Sequence, residues 1–355
     1  MDIQDFSVAG NRRQAYRLTG LFLAALLATA LSHAQAPAQP APAQPSAPAQ
    51  QPAAAQPSPA GQQPAAGQQP ASDQDQEPTF TIRRNEVVLI FTVTDKHGHY
   101  IPNLRQQDFA LLDDGKAPVQ VTSFRQQINL PLRVGLVIDA STSIRTRFQF
   151  EQQAAEEFLL QSIKPATDRA FVMDFAEVPH ISQDWTNNLD ALETGVNRVK
   201  PAGGTAMFDS VYVACRDKLL DTARGQEPVR KAMILISDGD DNQSRVHLDE
   251  SIKMCQRSET IVYAISTNWT PSRGKGDQVL TQLAQDTGGQ VFFPPSVEQM
   301  SNSFKNIEEE LRSQYALTYV PADFKASGQF RPIYLYCTDR RYVARARKGY
   351  FAPKD

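Results

Sequence analysis

The chain has 355 residues, 41% of them hydrophobic, and a formal charge of −3, which allows two modest domains once its unusual ends are set aside. A mildly acidic surface argues against a nucleic-acid partner, which would need a basic face. One polar stretch near the N-terminus holds almost no core-forming residues, so the rest must be richer than the average suggests.

Residues 1–34 read as a secretory signal peptide. Arg12, Arg13 and Arg17 form a positive start, residues 18–31 (LTGLFLAALLATAL) an apolar run, and Ser32 and Ala34 the small residues of a cleavage site. The alternative is an uncleaved anchor, but about 14 apolar residues fall short of the roughly 20 that span a bilayer. Three Arg against two Asp leave with this segment, so the mature chain carries −4. No later apolar run is long enough to span a membrane. The expected location is therefore outside the cytoplasm, periplasmic or extracellular.

Residues 35–78 consist almost wholly of Ala, Pro, Gln, Gly and Ser. Such a composition cannot bury enough apolar area to offset chain entropy and predicts a disordered linker. Residues 79–130 turn to strands: 86–94 (EVVLIFTVT), 109–112, and 119–124 (VQVTSF), with Asp113-Asp114-Gly115-Lys116 as a hairpin signal.

From 131 to 314 strands alternate with helices, which predicts a doubly wound, mostly parallel α/β sheet with helices on both faces. The strands are 134–138 (VGLVI), 170–175 (AFVMDF), an edge strand at 180–185, 231–237 (KAMILIS), 260–266 (TIVYAIS) and 291–293. Helices are expected at 149–163, through Leu189, Leu192, Val196 and Val199, from Gly203-Gly204 to Leu220, around 247–256, at 277–286, and along Val297, Met300, Phe304, Ile307 and Leu311. Residues 315–355 return to strands. The ends are expected to pair as one small β-sandwich around the inserted α/β domain, with independent β pieces as the alternative.

Cys215 and Cys255 sit on helices flanking one strand, neighbours on one face of such a sheet. Either they form a disulfide or they are two buried free thiols, with Cys337 buried as the odd one in a strand.

The chemistry gathers at strand ends. Asp139, Ser141 and Ser143 follow the first buried strand of the α/β region, Thr205 follows Gly203-Gly204, and Asp238 follows 234–237 (ILIS). Open α/β sheets bind ligands at that edge. Two carboxylates and three hydroxyls make a hard-oxygen set suited to Mg²⁺, Mn²⁺ or Ca²⁺.

The pattern Asp139-x-Ser141-x-Ser143, then Thr205, then Asp238 resembles the metal-ion-dependent adhesion site of von Willebrand factor A domains over residues 131–314. The resemblance implies that Ser141, Ser143 and Thr205 approach the ion while Asp139 and Asp238 hold its waters and fix the serines. It also implies a protein partner that offers an Asp or Glu to the metal. The wider chain resembles the exported von Willebrand factor A-related proteins of acidobacteria through 93–95 (VTD), Asp108-Phe109, 114–116 (DGK), 237–242 (SDGDDN) and 345–350 (RARKGY).

An enzyme is not expected. No Gly-x-Ser-x-Gly elbow, P-loop or dinucleotide glycine pattern stands at a strand end. The competing readings are a metal-dependent hydrolase of the envelope and a structural domain whose site is vestigial. Asp240, Asp241 and Asn242 read as a solvated loop, and Arg345 and Arg347 as a solvated strand face. The partner, the choice of metal and the oligomeric state are not encoded in these patterns.

Overall fold

A computed structural model describes residues 85–127, 130–142, 148–220, 229–268 and 273–354. The signal and linker readings lie outside these residues, as does Ser143. The described part belongs to one unit, residues 75–355.

Its centre is a six-stranded sheet built from β4 (Leu132–Asp139), β5 (Arg169–Phe175), β6 (Pro179–Thr186), β7 (Arg230–Ser237), β8 (Ile261–Ser266) and β9 (Val291–Phe292). The spatial order is β6-β5-β4-β7-β8-β9. All pairings are parallel except the edge pair β5–β6. β7 is buried at every position, as the β-branched and apolar run of a strand covered on both faces should be.

Alternation along the strands divides the core. Leu136 and Ile138 of β4 and Ile234 and Ile236 of β7 face α1 (Phe148–Ser162), α2 (Leu189–Arg198) and α6 (Val297–Arg312). Val137, Met173, Met233 and Leu235 face α3 (Met207–Val213), α4 (Leu248–Arg257) and α5 (Lys275–Thr287). Each fully buried Leu, Ile or Met contributes about 1.5–3 kcal/mol. The predicted doubly wound α/β sheet is present.

The helix expected up to Leu220 changes pitch. After α3 the chain continues as a π-helical turn, Ala214–Leu219, which apolar spacing cannot reveal. Cys215 in that turn is joined by a disulfide to Cys255 of α4, with Cα atoms 5.0 Å apart and both residues fully buried. Cys337 is a free thiol and only half-buried, not buried as expected, because it stands at the end of β11 (Phe330–Cys337).

The remaining strands form two antiparallel sheets. One has the order β12-β1-β10-β3, from β1 (Val87–Thr94), β3 (Gln120–Gln127), β10 (Gln314–Val320) and β12 (Val343–Ala346). The other is β13-β11-β2, with β2 (Phe109–Asp113) and β13 (Gly349–Phe351). They share a core of Leu89, Phe91, Leu111, Tyr315, Leu317, Ile333 and Tyr350. Thus β1 lies between two strands from the far end of the chain, and Ser313 alone separates α6 from β10.

The segment after β11 clamps the sandwich to the α/β sheet, which corrects the reading of Arg345 and Arg347 as a solvated face. Arg345 pairs with Glu310 of α6, and Arg347 reaches Glu259 at 2.7 Å and the Val88 carbonyl at 3.0 Å. Lys348 pairs with Asp286 at 2.5 Å. Gly288, which ends α5 with φ +95, packs so closely here that a Cβ would stand 2.6 Å from the Arg347 amide nitrogen.

Candidate metal centre

In this strand order β4 and β7 are neighbours, yet α1 leaves β4 toward one face and α4 leaves β7 toward the other. The diverging loops open a crevice at the carboxyl ends of the two strands, where doubly wound sheets bind ligands. Asp139 ends β4, and Asp238 follows Ser237, the last residue of β7.

Asp139 is fully buried. Its Oδ1 accepts from the Ser141 amide at 2.8 Å, and its Oδ2 accepts from the Ser237 hydroxyl at 2.7 Å. Ser237 in turn accepts from the Gly239 amide at 3.0 Å. Ser237 is the residue that the sequence reading passed over. Its signal was the hydroxyl ending an otherwise apolar strand immediately before Asp238. Gly239 has φ +84, and a Cβ there would lie 2.2 Å from the Gly276 carbonyl oxygen, so the turn that presents Asp238 requires glycine.

Thr205 is tied to the same rim, not to a separate one. Its amide donates to the Asn242 side chain at 3.0 Å, and its carbonyl accepts from the Asn242 and Gln243 amides at 3.0 and 3.1 Å. The Ala202 amide donates to the Ala140 carbonyl at 2.6 Å, and the Thr142 hydroxyl lies 3.4 Å from the Gly203 carbonyl. The loops carrying Asp139, Thr205 and Asp238 are therefore laced together by backbone and amide contacts. Asp241 accepts from the Phe208 amide at the start of α3. Of the run read as a solvated loop, Asp241 and Asn242 are working tethers and Asp240 is exposed.

Thr205 and Ser141 are buried, while Asp238 is half-buried. Burial pushes the Asp139 carboxyl up to about 6, against the pull of its bonds from Ser141 and Ser237, and the nearby Asp238 charge adds to the rise. A carboxylate kept from water beside a second carboxylate is the electrostatic setting that a cation relieves. The donor set consists of oxygens alone, which fits a hard divalent ion. Of the residues expected to hold it, Asp139, Ser141, Thr205 and Asp238 are described and lie on these loops. Among the described residues no group of three or more His, Cys, Asp or Glu could hold a metal, so the hydroxyls are needed to complete this one.

Part of the chain is similar to known proteins. Residues 134–306 match the von Willebrand factor type A domain family. The chain is 24% identical over 203 residues to a UPF0353 protein of Mycolicibacterium gilvum, covering 50% of this chain and 60% of that one. It is 23% identical over 214 residues to a UPF0353 protein of Nocardia farcinica, covering 53% and 63%. The chain thus spans about three fifths of the length of these curated relatives. Among solved structures, a von Willebrand factor type A protein from Catenulispora acidiphila aligns with TM-score 0.43 and 15% identity, covering 69% of this chain and 72% of that one. Proximal thread matrix protein 1 from the mussel byssus, in a form with a zinc-occupied adhesion motif, aligns with TM-score 0.44 and 17% identity, covering 57% and 50%. The part of the chain that matches the von Willebrand factor type A domain family is thus the doubly wound sheet with its helices.

Proposed function

We propose that this protein is an exported binding module that uses a divalent cation, held by Asp139, Ser141, Ser143, Thr205 and Asp238, to capture a partner through an acidic side chain. The observation that carries the reading is the buried Asp139 carboxylate. Ser141 and Ser237 fix it, and Asp238 beside it supplies more negative charge. When bound, the ion supplies a Lewis-acidic position for a carboxylate oxygen of the partner. The chain's own residues do the rest. Ser237 and the Ser141 amide orient Asp139, Asn242 holds the Thr205 loop in place, and the Gly239 turn presents Asp238.

Binding is favoured over turnover because neither described histidine of the α/β region stands at the rim to act as a general base. His180 is hydrogen-bonded to Asp174 on the edge pair β5–β6, and the His247 backbone caps α4, so neither serves the crevice. Export rests on the signal-like residues 1–34. Among the described residues no helix is long and apolar enough to cross a membrane. The test is capture from envelope extracts in Mg²⁺ and in EDTA, with Asp139→Ala as control. Metal-dependent capture lost in the variant supports the proposal. Equal capture in EDTA, or no rise in melting temperature with Mg²⁺, Mn²⁺ or Ca²⁺, overturns it.

A further inference from the structure

The carboxyl edge of the sheet holds a cation that the metal crevice leaves unused. α5 begins at this edge. A Cβ on Gly276 would stand 2.2 Å from the Asp238 carbonyl oxygen, so the first turn of α5 lies directly against the turn that presents Asp238. Asn268 reinforces the join. Its side-chain amide donates to the Asp238 carbonyl at 2.9 Å and to Asp277 Oδ1 at 3.3 Å. Arg273 immediately precedes Gly274, the residue that caps α5, and its guanidinium carbon lies 3.9 Å from the centre of the Phe293 ring.

Strand register locates Phe293. Ser237 pairs with Ser266, and Ile265 pairs with Phe292, so Phe293 stands level with Ser237, two strands away. At about 4.8 Å between neighbouring strands, the Phe293 and Asp238 positions are roughly 10 Å apart. Stacking keeps the guanidinium over the ring face and leaves its N–H groups, which lie in the guanidinium plane, to other acceptors. Arg273 is exposed, and no acidic side chain among the described residues forms an ion pair with it. Asp277 of the adjoining turn is buried and already accepts from the Ser266 hydroxyl at 2.6 Å and the Gly274 amide at 3.3 Å.

We propose that Arg273 receives a second carboxylate of the partner, which is therefore a segment with two acidic side chains about 10 Å apart. This presupposes the cation-dependent capture proposed above, since the first carboxylate goes to the ion. In an extended chain, at about 3.3 Å per residue, the spacing corresponds to acids three residues apart. The guanidinium would hold the second carboxylate through charge-assisted hydrogen bonds. Because Phe293 already restrains the arginine, less side-chain freedom is lost when the partner docks.

The experiment uses two end-blocked peptides, Gly-Glu-Gly-Gly-Glu-Gly and Gly-Glu-Gly-Gly-Gln-Gly. Each is titrated into the full chain by calorimetry at constant ionic strength, with Mg²⁺ and separately with Mn²⁺. The two-acid peptide should bind roughly tenfold more tightly, the change expected for one added charge-assisted bond. Arg273→Gln should remove that preference, save for the statistical advantage of a second acid, and leave affinity for the one-acid peptide unchanged. Phe293→Leu, which releases the arginine from its ring, should shrink the preference. Lys116→Gln, which removes the same charge from the sandwich, should preserve it. Equal affinities for the two peptides in the unaltered protein overturn the second contact and leave the cation-dependent capture standing. So does a preference that survives Arg273→Gln, or one that Lys116→Gln lowers as much. Binding of neither peptide with either metal below about 50 mM, a range that includes even weak specific sites, overturns both.

Discussion

Two aspartates, each fully shielded from solvent, are treated in opposite ways by the two halves of this molecule. In the sandwich, Asp113 receives the Arg331 guanidinium at 2.6 and 2.7 Å and the hydroxyls of Tyr319 and Tyr350 at 2.7 and 3.0 Å. In the α/β sheet, Asp139 receives an amide and a hydroxyl, and among the described residues no cationic side chain is paired with it. The sandwich carries its own counter-charge, whereas on the reading proposed above a divalent cation would supply it in the crevice.

The contrast can be broken most sharply from the sandwich side. Asp113→Asn leaves a buried guanidinium uncompensated and should cost about 3–5 kcal/mol. Urea melts in EDTA should show this, with no change in any Mg²⁺-dependent increment. Next in size is the metal itself. Mg²⁺ at a hundredfold excess over its Kd should stabilise the protein by about 2.7 kcal/mol, an increment that EDTA removes and Asp139→Asn abolishes. A protein that melts identically in Mg²⁺ and EDTA would erase the difference between the two aspartates.

A third carboxylate offers an intermediate case. Burial alone would raise Asp168, but Arg312 and the Leu132 and Lys164 amides hold it below the usual carboxylate range. A group lowered in the folded state stabilises fully above its unfolded value near 3.8, and the contribution is lost as pH falls through the folded value. Asp168→Asn should therefore cost about 2 kcal/mol at neutral pH and flatten the acid limb of a stability–pH curve. Smaller still, Asp139→Asn in EDTA should change stability by less than about 1 kcal/mol, because no counter-charge is orphaned. At the floor, Lys253→Ala, which removes a water-exposed pair with Asp249, should leave the melting temperature unchanged.

Much of the α/β fold was legible because its signals are local. A continuous apolar run such as 134–138, within alternating strands and helices, reads as a strand covered on both faces, and the residue after it then lies at the ligand-binding edge. That logic placed Asp139 and Asp238 on adjacent strand ends, and Gly203-Gly204 marked the loop of Thr205. The missed features depend on contacts between distant segments. Alternation on β12 puts Arg345 and its neighbours on one side, but nothing local says that the side meets Glu310 and Glu259. Asp241 and Asn242 look like any polar loop until α3 and Thr205 are seen to need hydrogen-bond acceptors. The π-helical pitch at Cys215 is likewise invisible to a search for helical spacing.

The nesting of β1 between β10 and β12 has a consequence for how the protein is made. Among the described residues, the first strand, β1, has no sheet neighbour until residue 314 and beyond have been synthesised. The α/β sheet can complete its own pairings first, since β4 through β9 are contiguous in the chain. The earliest part of the fold is thus among the last to close, and an apolar segment waits unpaired during that interval, open to association with other chains.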